Sequence, residues 1–257
     1  ILPLFILYLL KVDLIKFIPM IAKFVLFTLL LFPASLTAQM FSVGASSEVQ
    51  QKATSNYFRL GFGPVDFSYS HEPGSVLPQN RLDFNSPAVI ISFESPGLTA
   101  SMSFVNKLTG ADDERFLHLN LQYTNRFAFV RSSYFQLGIP LRLQTSLLSV
   151  QKEQLNNDFG QTVLGVGAGA FTSFSIPEKV VLSLEGIPSY GFSSSSGGLF
   201  GGSNKALTAK ARLDFLNLLF GRTISLGYDY KISVYDLDNN EYDYDMNYHL
   251  LTIGLSL

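Results

Sequence analysis

The residues of this chain equipped for chemistry are three histidines, a carboxylate-rich stretch near the C-terminus and a scatter of isolated charges. His71-Glu72 and Asp112-Asp113 lie in two separate polar stretches. A histidine and a carboxylate meeting at a rim could relay a proton in hydrolysis of a peptide or a lipid ester, but nothing in the spacing forces these together. Asp236-Leu-Asp-Asn-Asn-Glu-Tyr-Asp-Tyr-Asp245 begins like a calcium loop, with Asp236, Asp238 and Asn240 at the first, third and fifth positions. Glu241 then stands where the sharp turn needs glycine, and the twelfth position is Asn247. The stretch reads as a solvated loop, the alternative being a divalent ion bridging it to anionic lipid headgroups. No metal ligand set, catalytic residue or cofactor is assigned. Gly165-Val-Gly-Ala-Gly169 has no βαβ context and is no nucleotide fingerprint.

The other charges carry more information, because they sit inside apolar segments. Arg59, His118, Arg142, Glu185, Lys210, Arg212, Asp214, Asp229 and Lys231 all fall on the polar side of alternating stretches. Both signs are present, so an enclosed ion-pair network is the first reading of this set. A lining that selects a solute is the second.

Composition narrows the classes. Charged residues make up 15% of the 257-residue chain and apolar residues 47%, with a net charge of −2. Low charge with ordinary apolarity argues against disorder. Without a basic excess the chain lacks what a nucleic-acid partner requires. The absence of cysteine excludes thiol catalysis, disulfide frameworks, cysteine zinc sites and a lipoprotein anchor.

Residues 1–38 are nearly all apolar and contain only four charges, Lys11, Asp13, Lys16 and Lys23. Met20-Ile-Ala-Lys23, the apolar run Phe24–Phe32 and the small-residue stretch Ser35–Ala38 have the order of a cleavable export signal. The expectation is a start at Met20, cleavage after Ala38 and upstream sequence before Met20; one or two membrane helices are the competing reading. Residues 39–56 then form an N-terminal segment or plug, and residues 57–257 the body.

Beyond Tyr57 the pattern has period two. Leu207, Ala209, Ala211, Leu213 and Phe215 alternate with Thr208, Lys210, Arg212 and Asp214. Leu98–Phe104, Leu117–Tyr123, Ile224–Ile232 and Leu251–Leu257 repeat it. Ten strands are expected: 57–70, 87–94, 98–107, 115–124, 134–149, 161–174, 179–190, 205–215, 222–235 and 244–257. Eight remain possible if short segments merge. Most exceed the five or six residues usual in soluble sheets and approach the length a tilted strand needs to cross a bilayer. Short links such as Ser95-Pro-Gly97, Asn125–Ser133, Ile176–Lys179 and Asn217–Gly221 alternate with longer polar ones: His71–Ser86, Thr109–Glu114, Gln151–Gly160, Ser193–Asn204 and Asp236–Asp243. Tyr57, Tyr69, Tyr123, Tyr134, Tyr190, Tyr235 and Tyr244 near strand ends are expected to form interfacial girdles. A secreted soluble β-sandwich is the alternative.

With its export signal, amphipathic strands and a final strand reaching the C-terminus, the chain resembles a small single-chain bacterial outer-membrane β-barrel. It departs from that pattern in ending on Leu257 rather than on the aromatic residue that the assembly machinery reads. The resemblance implies an all-β, antiparallel, up-and-down transmembrane barrel in the Gram-negative cell envelope. Its partners would be the outer-membrane bilayer and the barrel-assembly machinery, with a small solute or surface ligand unidentified. A narrow, porin-like channel or a structural barrel displaying loops is the expected function. A rim protease or deacylase and a surface-binding module are the alternatives.

Overall fold

The computed structural model describes residues 56–70, 82–111, 113–152, 157–195, 200–237 and 243–257. The expected export signal, nearly all of the 39–56 segment, His71, Asp112 and parts of the long polar links lie outside the described residues.

The described residues form one antiparallel sheet of β1 (Tyr57–Tyr69), β2 (Phe84–Ser95), β3 (Leu98–Val105), β4 (Glu114–Arg131), β5 (Phe135–Lys152), β6 (Asn157–Ala168), β7 (Ala170–Ile176), β8 (Val180–Ser195), β9 (Phe200–Leu219), β10 (Arg222–Leu237) and β11 (Tyr244–Ser256). Segments β6 and β7 are halves of one barrel strand, parted at Gly169, and both pair with β5 and with β8. Ten barrel strands therefore run up and down, each beside its sequence neighbour. The first and last also pair, from Tyr57 opposite Ser256 to Tyr69 opposite Tyr244. With β4 paired to β5 as well, the ladder closes. Closure leaves the strands no unpaired sheet edge along the cylinder.

Turns set the alternation of links. Pro96-Gly97 joins β2 to β3, with Gly97 at φ 83°. Phe220 and Gly221, at φ 48° and 76°, make a two-residue turn in which both φ are positive, the geometry that matches strand twist. Ser132–Tyr134 joins β4 to β5, and the Ser132 hydroxyl accepts from the Phe135 N–H at 3.0 Å. That last link is shorter than expected, because the β4–β5 ladder continues through residues 125–131. At the opposite end the ladders also outrun the expectation: β8 and β9 pair through Ser193–Gly202. Ser and Gly carry no apolar alternation, yet their backbones pair like any other.

Polarity divides the cylinder along its axis. Near the turn end and through the middle, the outward face is apolar: Phe58, Leu60 and Phe62 on β1, Ile139, Leu141 and Leu143 on β5, and Leu251 and Ile253 on β11 are all exposed. Past Pro64 the outward residues of β1 become Asp66 and Ser68, and those of β5 end in Ser149 and Gln151. Over the same levels the inward face changes the other way. Val65, Phe67, Phe84, Phe116, Leu148, Phe159, Tyr235, Tyr244, Met246 and Leu250 are buried there in one cluster. Phe67 stacks on Tyr244 at 4.6 Å, and Phe159 lies 5.3 Å from Phe67. Hydrocarbon accepts an apolar exterior, and water requires the reverse. The strands thus rise through a membrane and continue beyond it as a small inside-apolar barrel.

This arrangement corrects the expected aromatic girdle. Tyr235 and Tyr244 are 1% and 2% exposed and belong to the interior cluster, with Tyr69 packed against it. Tyr134 and Tyr190 do face outward, as do Tyr228 and Tyr230, which meet His249 where the apolar belt gives way to polar residues. The reason is parity: Tyr235 shares a face with Lys231 and Ser233.

Ile253→Arg, in mid-belt, is expected to destabilise the membrane-inserted barrel by about 2–4 kcal/mol, whereas Ser68→Arg above the belt costs about 0–1. Urea unfolding in lipid vesicles measures the difference. Phe67→Ala is expected to cost about 3–5 kcal/mol by the same assay.

Candidate functional site

Below the aromatic cluster the inward face turns polar, and alternation alone puts the charges there. On β9, Thr208, Lys210, Arg212 and Asp214 point inward because Leu207, Ala209, Ala211 and Leu213 point out. Asp229 and Lys231 do the same on β10, Arg59 on β1, His118 on β4, Arg142 on β5 and Glu185 on β8. Arg59, His118, Arg142, Arg212, Asp229 and Lys231 are buried; Glu185, Lys210 and Asp214 are partly so.

Two ion-pair groups organise these side chains. In the first, Arg59 Nε lies 2.7 Å from Glu94 Oε2, Arg212 Nη2 lies 3.2 Å from Glu94 Oε1, and Arg212 Nη2 lies 2.7 Å from Asp229 Oδ1. Arg59 Nη1 also donates to the Ser225 hydroxyl at 2.7 Å, and Ser225 is the cross-strand neighbour of Asp214. In the second, Glu185 holds two arginines, Arg142 at 2.5 Å and Arg126 at 2.8 Å. The Arg142 Nε–H donates to the Thr124 hydroxyl at 3.2 Å. Lys210 stands between the groups and donates to the Gln122 amide oxygen at 3.4 Å. Lys231 has no ion pair or hydrogen bond among the described residues.

Space for these side chains comes from glycine. A Cβ at Gly254 would sit 2.7 Å from Arg59 Nη1, and one at Gly227 would sit 2.8 Å from Arg212 Nη1. Gly165 similarly leaves room for Gln144, whose Nε2 would be 3.2 Å from a Cβ. Gly169 serves another purpose: a Cβ there would collide with the carbonyl of Gly186, so glycine lets β7 and β8 approach where the strand is interrupted.

Sequence reasoning missed Glu94, Arg126, Gly227 and Gly254. Glu94 continues the inward parity of Ser86, Ala88, Ile90 and Ser92, and that signal was available. Arg126 was masked by reading 125–133 as a turn. The glycines gave no signal, because their role depends on which strands close the cylinder.

Among the described histidines, His118 is buried in the interior, 6.5 Å ring to ring from Tyr248. His249 faces outward, its Nδ1 2.6 Å from the Tyr228 hydroxyl. Neither pairs with a carboxylate. The described residues contain no group of three or more His, Asp or Glu side chains that could hold a metal ion.

The chain is a closed transmembrane β-barrel, as its ladder and apolar belt require. Protein-family models and curated proteins give no match. Among solved structures it is similar to the outer membrane protease OmpT from Escherichia coli, at 8% identity over 84% of this chain and 98% of that one, with a TM-score of 0.45. It is also similar to Ail, the attachment invasion locus protein of Yersinia pestis, at 17% identity over 79% and 99% of the two chains, with a TM-score of 0.24. For Neisserial surface protein A the identity is 12%, the coverage 79% and 97%, and the TM-score 0.30.

Removing one partner of a buried ion pair leaves an uncompensated charge. Glu185→Gln is expected to cost about 3–5 kcal/mol in urea unfolding from micelles, with Arg142→Met added to it restoring part of the loss. Gly254→Val is expected to cost about 1–3 kcal/mol by displacing the Arg59 guanidinium.

Proposed function

We propose that this protein is a sealed outer-membrane barrel that presents its long loops at the cell surface, and that it is neither a conducting pore nor a rim hydrolase. The observation that carries the reading is the apolar cluster around Phe67, Phe159 and Tyr244, which fills the cylinder at its loop end. An ion crossing that zone would leave its hydration shell for a dry aromatic interior, at a cost of many kcal/mol. The ion-pair layer below adds a second obstruction, because its arginines and carboxylates neutralise one another across the interior instead of lining an open path.

Arg59, His118, Arg142, Glu185, Lys210, Arg212, Asp214, Asp229 and Lys231 act in this proposal as interior structure and not as a selectivity lining. They cross-link strands far apart in sequence: Arg59 to Glu94 and Ser225, and Arg142 to Glu185. The long links beyond the apolar belt are the surface available to an external ligand. Delivery to the membrane through an export signal and the barrel-assembly machinery belongs to the same proposal.

Planar-bilayer recording of the refolded protein is expected to give no conductance steps. Replacing Phe67, Phe159 and Tyr244 together by alanine is expected to open a conducting path. Regular single-channel steps from the unaltered protein would overturn the sealed-barrel reading.

A further inference from the structure

The charges of the inner lumen do not balance. Among the described residues five cations, Arg59, Arg142, Lys210, Arg212 and Lys231, share the interior with four carboxylates, Glu94, Glu185, Asp214 and Asp229, and Arg126 adds a sixth cation at the mouth. The four arginines take up Glu94, Glu185 and Asp229 through ion pairs, and Asp214 lies cross-strand from Ser225 with no ion pair among the described residues. Both lysines are left without a carboxylate within ion-pair distance among the described residues. Lys210, cross-strand from Glu185 and Asp229, makes its one hydrogen bond among the described residues to the Gln122 amide oxygen at 3.4 Å, and Lys231, 3% exposed, makes none among them.

The surplus is concentrated at one level. Lys210 is one inward step along β9 from Thr208, the cross-strand neighbour of Lys231, and it stands cross-strand from Glu185, which holds Arg142 at 2.5 Å. Tyr248 is the neighbour of Lys231 on β11. Five further polar atoms in this region have no hydrogen-bond partner among the described residues: Arg142 Nη1, His118 Nε2, the Thr208 and Ser233 hydroxyls and Asn120 Oδ1, of which only the last is purely an acceptor. An ammonium and a guanidinium can only donate, and a hydroxyl can donate too. Unused donors around excess positive charge are complementary to an anion and would repel a metal cation.

We propose that the inner lumen binds a small inorganic anion of halide size between Lys231, Arg142 and Lys210, taken up from the periplasmic mouth. Exposure of the side chains traces the route. It falls from 50% at Arg126, at the mouth, to 8% at Glu185 and 2% at Arg142. Beyond this level the aromatic cluster closes the way, so the polar half of the barrel is a blind cup with its unpaired cations at the bottom. A bound halide neutralises part of the surplus and satisfies donors that water reaches poorly. The site does not depend on the barrel being sealed, since conductance and anion-dependent stability are separate readouts.

The test is thermal unfolding of the full barrel in detergent, in chloride, bromide or gluconate at matched ionic strength. Gluconate is too bulky for the site and serves as the reference. The melting temperature is expected to rise with chloride and bromide concentration, as mass action requires of a ligand that binds only the folded state. Lys231→Met is expected to lose that response, and Lys179→Met, in an exposed turn, to keep it. Crystals grown in bromide are expected to show an anomalous peak between Lys231 Nζ and the Arg142 guanidinium. Equal melting temperatures in all three salts, a halide response retained by Lys231→Met, or bromide-grown crystals without that peak would each overturn the proposal. If Lys231→Met does not fold, the bromide peak in the unaltered protein decides.

Discussion

A backbone N–H or C=O left unpaired in hydrocarbon costs several kcal/mol, and a strand has one of each at every residue. The pairing of β1 with β11 removes that cost for the whole sheet, because it turns an open ribbon with two edges into a cylinder with none. Everything else in the molecule is conditional on that seam. The outward leucines and phenylalanines are tolerable only where lipid covers them. The inward charges are tolerable only because the wall behind them is continuous.

Within the cylinder, two different solvents act on one continuous ladder. Where lipid surrounds the wall, the exterior is apolar and the interior carries arginines, lysines and carboxylates. Where water surrounds it, Asp66, Ser68 and Gln151 face out and the interior is Phe67, Phe159 and Tyr244. No break in the strands marks the change; only the parity of polar and apolar residues inverts. The inversion fixes the depth at which the barrel sits and also stops the interior from being one polar tube. The charged layer is in turn shaped by absent side chains, with Gly227 and Gly254 leaving the volume that Arg212 and Arg59 occupy.

Period two was legible wherever lipid-facing residues were large and their neighbours polar. Leu207–Phe215 and Ile224–Ile232 lie on the strands and faces that their sequence indicates, and the ten-strand, up-and-down order follows from such segments together with their alternating links. Ladder ends were not legible. Ser193 and Gly202 pair as strand residues although neither has a side chain that reports burial. The change of solvent beyond the membrane was missed because Tyr235 and Tyr244 were weighed by residue type, and aromatic residues suit both an interface and a core. Parity with Lys231 would have placed Tyr235 inside. For the charged interior, sequence could name individual inward residues but not their partners, since Arg59 meets Ser225 only after the first and last strands join.

The seam itself is the most direct thing to measure. The native chain has no cysteine, so one engineered pair reports without background. Leu60 and Ile253 lie directly opposite on β1 and β11, a spacing that a disulfide can bridge. Oxidising the Leu60→Cys, Ile253→Cys variant in membranes is expected to produce an intramolecular disulfide that survives denaturation. The offset pair Leu60→Cys, Leu257→Cys should form none. A chain that stays reduced at 60 and 253, or that bridges only between molecules, would contradict the closed cylinder.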